Sequence, residues 1–238
     1  MMLGKQKKFE GFSKIYTLNT SADSQFFSRL IKLIGSVKLN SQADIQIKVW
    51  DLGLTCIQLM ILKLMRVQVI TVPHFVSFWK DCYTWKIYIL ANSQEDIFLH
   101  LDAGNTVLCD LTLIFNKIEK EDFFFINQGD DLRDIAPKDY FEYFDVSTKI
   151  KYPILHGGNI GFKRKKIVKK ILSEAYSLAK SGFCLGFSKG EKFRDFSNRF
   201  PVRECSLFRH DQTLLNLVMR KHLKTFSILP LEKYASLS

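Results

Sequence analysis

The stretch DIFLHLDAGNTVLCDL, residues Asp96 to Leu111, sets the reading of everything on either side of it. Its run from Ile97 to Leu101 predicts a short buried strand, followed by a second apolar run and a helix start. The strand delivers Asp102, Gly104 and Asn105 at its carboxyl end. In open α/β sheets, ligands sit just beyond the carboxyl ends of strands, where loops and helix N-termini converge. Asp-Ala-Gly-Asn is also good turn chemistry, so these residues alone support a site and a tight turn about equally.

Moving toward the N-terminus, DCYTWKIYILANSQED predicts a helix running directly into that strand, with Trp85 and Tyr88 packed and Lys86 either exposed or near the strand ends. Earlier still, FSKIYTLNT predicts a first strand over Ser13 to Leu18, ending in the polar group Asn19, Thr20, Ser21. Asp23 or Ser24 is placed to cap a helix whose apolar positions Phe26, Phe27, Leu30, Ile31, Leu33 and Ile34 recur at helical spacing, with Gly35 as its stop. ADIQIKVWDLGL alternates Ile45, Ile47 and Val49 and bends at Asp51, Leu52 and Gly53; CIQLMILKLM predicts a second helix and VQVITV a strand broken by Pro73. Two strand-helix steps in succession argue for a parallel sheet.

Toward the C-terminus, DLTLIFNKIEKED predicts a helix with Leu111, Leu113, Ile114 and Ile118 inward, Phe123 to Asn127 a buried strand, NQGDDLRD a loop and DYFEYFDV a helix. The aromatics here lack interleaved Arg and Lys, which favours core over a base-stacking platform. ILHGGNIGFKRKK carries Gly157, Gly158 and Gly161, a set that admits close backbone approach to a ligand or marks a bend or bulge at a strand end. It is neither a Walker loop nor a dinucleotide fingerprint. Lys163 to Lys166 is expected as a solvated helix start, with a phosphate or membrane-surface role as the alternative. IVKKILSEAYSLAKSG predicts a helix with Ile167, Ile171, Leu172, Ala175 and Leu178 inward, ending at Gly182. Phe183 to Glu204 reads as an irregular loop or lid, and RHDQTLLNLVMRKH as a strong helix. Asp211 lies in its first turn, where a carboxylate suits the helix dipole whether or not it does chemistry. Phe226 to Leu229 closes the chain as a short strand.

A chain of 238 residues with 47% hydrophobic content can bury one substantial core. The expectation is a basic leader over residues 1–12 and one domain over residues 13–238. No apolar run approaches the length of a membrane span, and the opening residues lack the core of a signal peptide, so a cytoplasmic location is expected, with peripheral contact on a membrane face as an option. Five cysteines without a CxxC pair fit reduced thiols better than a disulfide or zinc framework. The net charge of +11 implies an anionic partner. Nucleic acid is disfavoured, since no RNP aromatics, zinc-finger pattern or recognition helix is present.

Three pieces stand in fixed order: LHLDAGN on a strand, HGGNIGFKR, and the helix opener RHDQTLLN. With a first strand ending near Asn19 and the WDLGL bend, they resemble the GT-A class of nucleotide-sugar glycosyltransferases, glycogenin-like and small bacterial transferases above all, over about Lys14 to Leu231. The resemblance implies an α/β fold with a mostly parallel central sheet flanked by helices. It also implies a glycosyltransferase, a hexosyltransferase by expectation, using a UDP-linked sugar on a glycan, lipid-linked saccharide or glycoprotein acceptor, as in polysaccharide biosynthesis. By position it implicates Thr17 and Asn19 in nucleoside binding, and Lys86, Asp102, Ala103, Gly104 and Asn105 in holding the nucleotide sugar. His156, Gly157, Gly158, Asn159, His210 and Gln212 fall to the sugar and acceptor pocket. For proton transfer Asp211 stands first, with Asp130 or Asp131 behind it. The DxD motif that binds Mn or Mg falls on Asp102, but its second acid is Gly104 here. That leaves Asp102 with Asn105, or Asp110, as metal ligands, and Lys86, Lys163 and Arg164 as alternative neutralisers of the diphosphate. The missing acid also motivates a rival reading, a GT-A-shaped protein that binds without turnover.

Overall fold

The computed structural model describes residues 15–74, 80, 82–186, 208–223 and 225–230. The expected leader at 1–12, the first strand's start at Ser13, most of the expected lid at 187–204, and Cys205 lie outside the described residues. In chain order the elements are β1 (Tyr16–Ala22), α1 (Phe27–Asn40), β2 (Ile45–Asp51), α2 (Cys56–Leu64), β3 (Gln68–Thr71), α3 (Thr84–Asn92) and β4 (Ile97–Leu101). They continue with α4 (Thr112–Glu121), β5 (Phe123–Asp131), α5 (Leu132–Ile135), α6 (Lys138–Phe144), β6 (Pro153–Lys163), α7 (Lys166–Lys180) and α8 (His210–His222).

The strands form one six-stranded sheet in the order β3-β2-β1-β4-β6-β5. β3, β2, β1 and β4 run parallel, and β6 is inserted antiparallel between β4 and β5. This mixed α/β sheet is buried on both faces, which is why β4 reads as a continuous apolar run rather than an alternation. Leu99 and Leu101 point into a core shared with Leu30, Leu33 and Ile34 of α1, Leu62 of α2 and Phe115 and Ile118 of α4. Phe98 points the other way, into a larger core with Phe123, Phe125 and Phe162 and with the inner faces of α3, α7 and α8. α1 and α2 cross between parallel strands stepping the same way along the sheet, and right-handed connections therefore place both on one face.

Several sequence expectations change. HGGNIG lies inside β6 rather than at its end, with Leu99 paired to Gly161 and Leu101 to Asn159, and the expected bulge is present on the β5 side, where the register shifts between the Ile160 and Leu155 pairings. The glycine at 161 is a packing requirement, because a Cβ there would run into the Ile118 side chain of α4. Gly35 does not stop α1, which continues to Asn40; Ser36 turns its hydroxyl to the Leu33 carbonyl and accepts from the Val107 amide, satisfying a buried polar group inside the helix. Asp23 accepts from the amides of Gln25 and Phe26 ahead of α1, which itself has no side-chain cap. Leu113 is exposed, and the inward face of α4 is Ile114, Phe115 and Ile118. The predicted NQGDDLRD loop is the tail of β5 plus α5, whose N-cap Asp131 accepts from the Arg133 amide. Phe226 to Leu229 contributes one parallel bridge, Leu229 to Ile126, instead of a strand.

Candidate active site

β4 ends at Leu101, and Asp102 is the first residue beyond its ladder with β6. The Asp102 amide donates to the Gly158 carbonyl at 2.9 Å, and the Asn105 amide closes the turn on the Asp102 carbonyl at 3.0 Å. The Asn105 side chain also donates to Gly158 O at 3.1 Å. The turn reading of DAGN is borne out, and the turn fixes where the carboxylate points. Gly158 is required by that position. A Cβ there would stand 2.7 Å from Asp102 Oδ2, whereas at Gly157 the nearest atom would be an ordinary 3.6 Å away.

Lys86, in the first turn of α3, is buried yet reaches the strand ends. Its Nζ lies 3.0 Å from Asp102 Oδ1 and 3.1 Å from Oδ2, donates to the Gly157 carbonyl at 3.0 Å, and stands 3.8 Å from Asp211 Oδ2. Burial works against the ammonium, but the two carboxylates outweigh it and its pKa lies above the ordinary value. His100, one strand pair before Asp102 and fully buried, presents Nε2 to Asp102 Oδ1 at 3.2 Å. Burial lowers its pKa, so it is a neutral donor there. Burial also resists ionisation of Asp102, yet Lys86 and His100 hold its carboxyl well below the usual range. The Asp102 side chain stays 42% exposed, which leaves one side of the carboxylate open to a ligand.

α8 is fastened to β6 by two amides one helical turn apart. Asn216 Oδ1 accepts from Leu155 N at 3.0 Å, and Gln212 Nε2 donates to Leu155 O at 2.6 Å and to Gln128 Oε1 at 2.6 Å. That grip carries Asp211 to Lys86. Asp211 is buried, and burial pushes its pKa up to about 7 against the pull of Lys86. His210 starts the helix at φ 39°, and Tyr83 precedes α3 at φ 52°. Two non-glycine residues in the left-handed region, their rings 6.1 Å apart, meet beside the site. Such strain persists only where the surroundings impose it.

A cavity of about 630 Å³ opens at this end of the sheet, lined by Ser21 and Ala22 at the end of β1 and Asp23 after it, Phe26 just ahead of α1 and Arg29 within it, Lys80, Tyr83 and Trp85, and Lys86, Asp102, Ala103 and Gly104. The structure thus brings Lys86, Asp102, Ala103 and Gly104 together on its wall, with Asn105 and Gly158 behind the turn and Gly157 and Asp211 joined to it through Lys86. Thr17 and Asn19 are elsewhere, buried within β1, where Asn19 accepts from the Trp50 indole at 2.8 Å. The sequence signal that would have selected Ser21 to Asp23 is the strand-end rule applied to the true end of β1, four residues beyond the expected one. His156 Nδ1 accepts from the Gly158 amide at 3.1 Å and lies 3.2 Å from the Asn159 side chain, and His210 donates to the Cys184 carbonyl at 2.9 Å. Asp130 pairs with Arg209 at 3.2 Å, away from the cavity wall, and Asp131 with Arg133. Asp110 accepts from Thr112 and Gln42, and Lys163 from β6 donates to Glu119 O, so neither serves this site.

The donor set does not match a divalent cation held by Asp102 and Asn105. Both Asp102 oxygens already face an ammonium, Asn105 is buried behind the turn, and the second-acid position is a glycine, which offers no side-chain oxygen. Among the described residues no three His, Cys, Asp or Glu side chains cluster as metal ligands. Hard cations require several oxygens at short range, and here a lysine stands where their charge would be.

No protein-family model and no curated protein matches this sequence. Solved structures do. The galactosyltransferase LgtC, in complex with donor and acceptor sugar analogues, aligns with a TM-score of 0.52 and 14% identity over 85% of this chain and 70% of that one. The bifunctional glycosyltransferase WbbM aligns at 0.59 and 15% identity over 93% of this chain but 40% of its own. Mouse xyloside xylosyltransferase 1 aligns at 0.54 and 8% identity, covering 92% and 86%. With its mixed sheet, its cavity at the strand ends and these structural neighbours, the chain has the GT-A glycosyltransferase fold.

Proposed function

We propose that the protein transfers a glycosyl group from a nucleoside diphosphate sugar, UDP-linked by first expectation, to a hydroxyl of a glycan, lipid-linked saccharide or glycoprotein. The observation that carries this reading is the meeting of Lys86 and Asp102 on the wall of a cavity of about 630 Å³, with Gly157 and Asp211 holding Lys86 from behind, in a fold shared with glycosyltransferases. The cavity suits such a donor. Phe26 and Tyr83 offer partly exposed ring faces to a base or sugar, and Arg29, Lys80 and Lys86 offer positive charge to a diphosphate.

In the proposed step the bond from the anomeric carbon to the phosphate oxygen breaks, leaving its electron pair on the diphosphate. The acceptor oxygen bonds to the same carbon and its proton passes to the departing diphosphate. Preorganised charge opposite the leaving group is the main catalytic contribution, and Lys86 supplies it, aided by Arg29 and Lys80. Asp102 orients Lys86 and faces the sugar. Asp211, expected from the sequence as a base, stands behind Lys86 and not on the cavity wall; we assign it a positioning role, setting the charge on Lys86. Donor binding then rests on protein cations instead of a cation cage.

Ligand-dependent melting tests this. UDP sugars or GDP sugars are expected to raise the melting temperature in EDTA as well as in Mn, with nucleotide released on incubation. A shift that a generic DNA duplex reproduces would defeat the reading. The glycine at 104 favours one alternative, binding without turnover; a full melting shift with no nucleotide released would select it.

A further inference from the structure

α2 is apolar on two sides, and only one of them meets the protein. Leu62 faces the core, while Ile57, Met60, Ile61 and Leu64 recur at i, i+3, i+4 and i+7 on the outer side. Ile57, Met60 and Leu64 are 71%, 65% and 82% exposed. Leu39, at the end of the neighbouring α1, is exposed as well, and Lys38 beside it donates to the Met65 carbonyl at 2.8 Å, tying the C-terminal ends of the two helices together. A helix with an apolar outer stripe ordinarily has something to cover it.

The charges around the stripe identify the cover. No Asp or Glu occurs between Ser24 and Ala43 or between Leu52 and Lys80, while Arg29, Lys32, Lys38, Lys63 and Arg66 all do. The carboxylates nearest these helices lie outside both of them: Asp44 just past α1, Asp110, which accepts from the Gln42 amide there, and Glu119 and Glu121 on α4, which packs over β4 and β6 beyond α1. A second copy docked face to face would bring two basic, acid-free surfaces together. An anionic bilayer meets both features at once, with apolar side chains entering the interface and lysine and arginine lying among the headgroups. α2 is a nine-residue helix, and no described helix is long and apolar enough to cross a membrane, so the contact is with one leaflet.

We infer that the outer face of α2, with the C-terminal end of α1, is a docking surface for an anionic lipid membrane. The orientation it imposes is specific. Gln58, in the first turn of α2, donates to the Ser24 carbonyl, and the Ser24 amide donates to Gly53 O. Ser24 follows Asp23 on the cavity rim, so docking holds the mouth of the cavity beside the bilayer, within reach of an acceptor whose anchor lies in the lipid. The inference stands on α1 and α2 and does not depend on the reaction proposed above.

The test is co-sedimentation of the full chain with vesicles of phosphatidylcholine alone and of phosphatidylcholine mixed with phosphatidylglycerol, at about 0.1 M salt. The wild type is expected to partition onto the mixed vesicles and poorly onto the neutral ones. The double substitution Ile57→Ser with Leu64→Ser should weaken partitioning at least about tenfold, with melting unchanged because both side chains face solvent. Lys63→Gln with Arg66→Gln should remove most of the preference for the anionic mixture. Equal partitioning of wild type and both variants would overturn the proposal, as would absence of binding to the anionic vesicles. So would a dimer in solution that the serine variant converts to monomer, which would assign the face to self-association.

Discussion

The two carboxylates that flank Lys86 differ in everything except their chemistry. Asp102, at the tip of β4, lies half open to the cavity, takes hydrogen bonds from Lys86 and His100, and is held firmly ionised. Asp211, in the first turn of α8, is buried 3.8 Å from the same ammonium, and its pKa is pushed up to about 7. One lysine cannot fully compensate two carboxylate charges, so the one with more hydrogen bonds and more water keeps its charge and the buried one gives way. The difference teaches that the strand side of the site is a fixed electrostatic wall, while the helix side titrates near neutrality. Near pH 7 the cluster of three passes from neutral to a net negative charge.

The largest way to break this comparison is at the fixed wall. Asp102→Asn removes the partner that orients Lys86, and transfer should fall by about a hundredfold or more while cooperative melting persists; unchanged turnover would take Asp102 out of the mechanism. The helix side should respond less and differently. Asp211→Asn is expected to lower kcat by about tenfold and to abolish a pH dependence of the donor KM. In the wild type, ionisation of Asp211 above about 7 adds negative charge beside Lys86, so KM for an anionic donor rises as pH passes that value. A loss of kcat beyond about a thousandfold with KM flat in both proteins would make Asp211 the proton acceptor instead.

The same substitution sharpens the contrast in stability. A folded pKa near 7 against an ordinary value of 3.8 means that the native protein keeps a proton the unfolded chain gives up. That contribution is complete below about pH 4 and is lost as pH rises to about 7. The melting temperature of Asp211→Asn relative to wild type should therefore climb across this window and level off above it. A constant offset across the window would contradict the assignment.

The smallest effects fall on the two glycines between the carboxylates. Gly158→Ala would place a methyl 2.7 Å from Asp102 Oδ2, so the ion pair must shift, at a cost of about 1–3 kcal/mol in stability with a several-fold rise in donor KM. Gly157→Ala meets only ordinary contacts and should be nearly silent. Equal responses would show that the close approach at Gly158 is not what places Asp102.

The sequence made the strand-borne Asp102 visible because β4 is a mostly apolar run with a polar tip, and it made α8 visible because Leu214, Leu215, Leu217 and Val218 form an apolar run between polar helix ends. It hid the extent of β6, since three glycines suit the end of a strand as well as its interior, until the bulge toward β5, the Ile118 contact at Gly161 and the Asp102 contact at Gly158 explain them. It also hid the end of β1. Asn19, Thr20 and Ser21 read as a polar exit from the strand, yet all three are buried, and only the residues from Ser21 onward reach the cavity. His100 was invisible for the same reason that it matters, a polar side chain on a strand with no surface left to show.

The most direct test is nucleotide release from a panel of nucleotide sugars by the wild type, Asp102→Asn and Asp211→Asn, in EDTA. At least one donor should be consumed by the wild type, at about a hundredth of that rate or less by Asp102→Asn, and at an intermediate rate by Asp211→Asn, with all three proteins folded. No binding or consumption of any nucleotide sugar by the wild type, or equal rates in all three proteins, would contradict it.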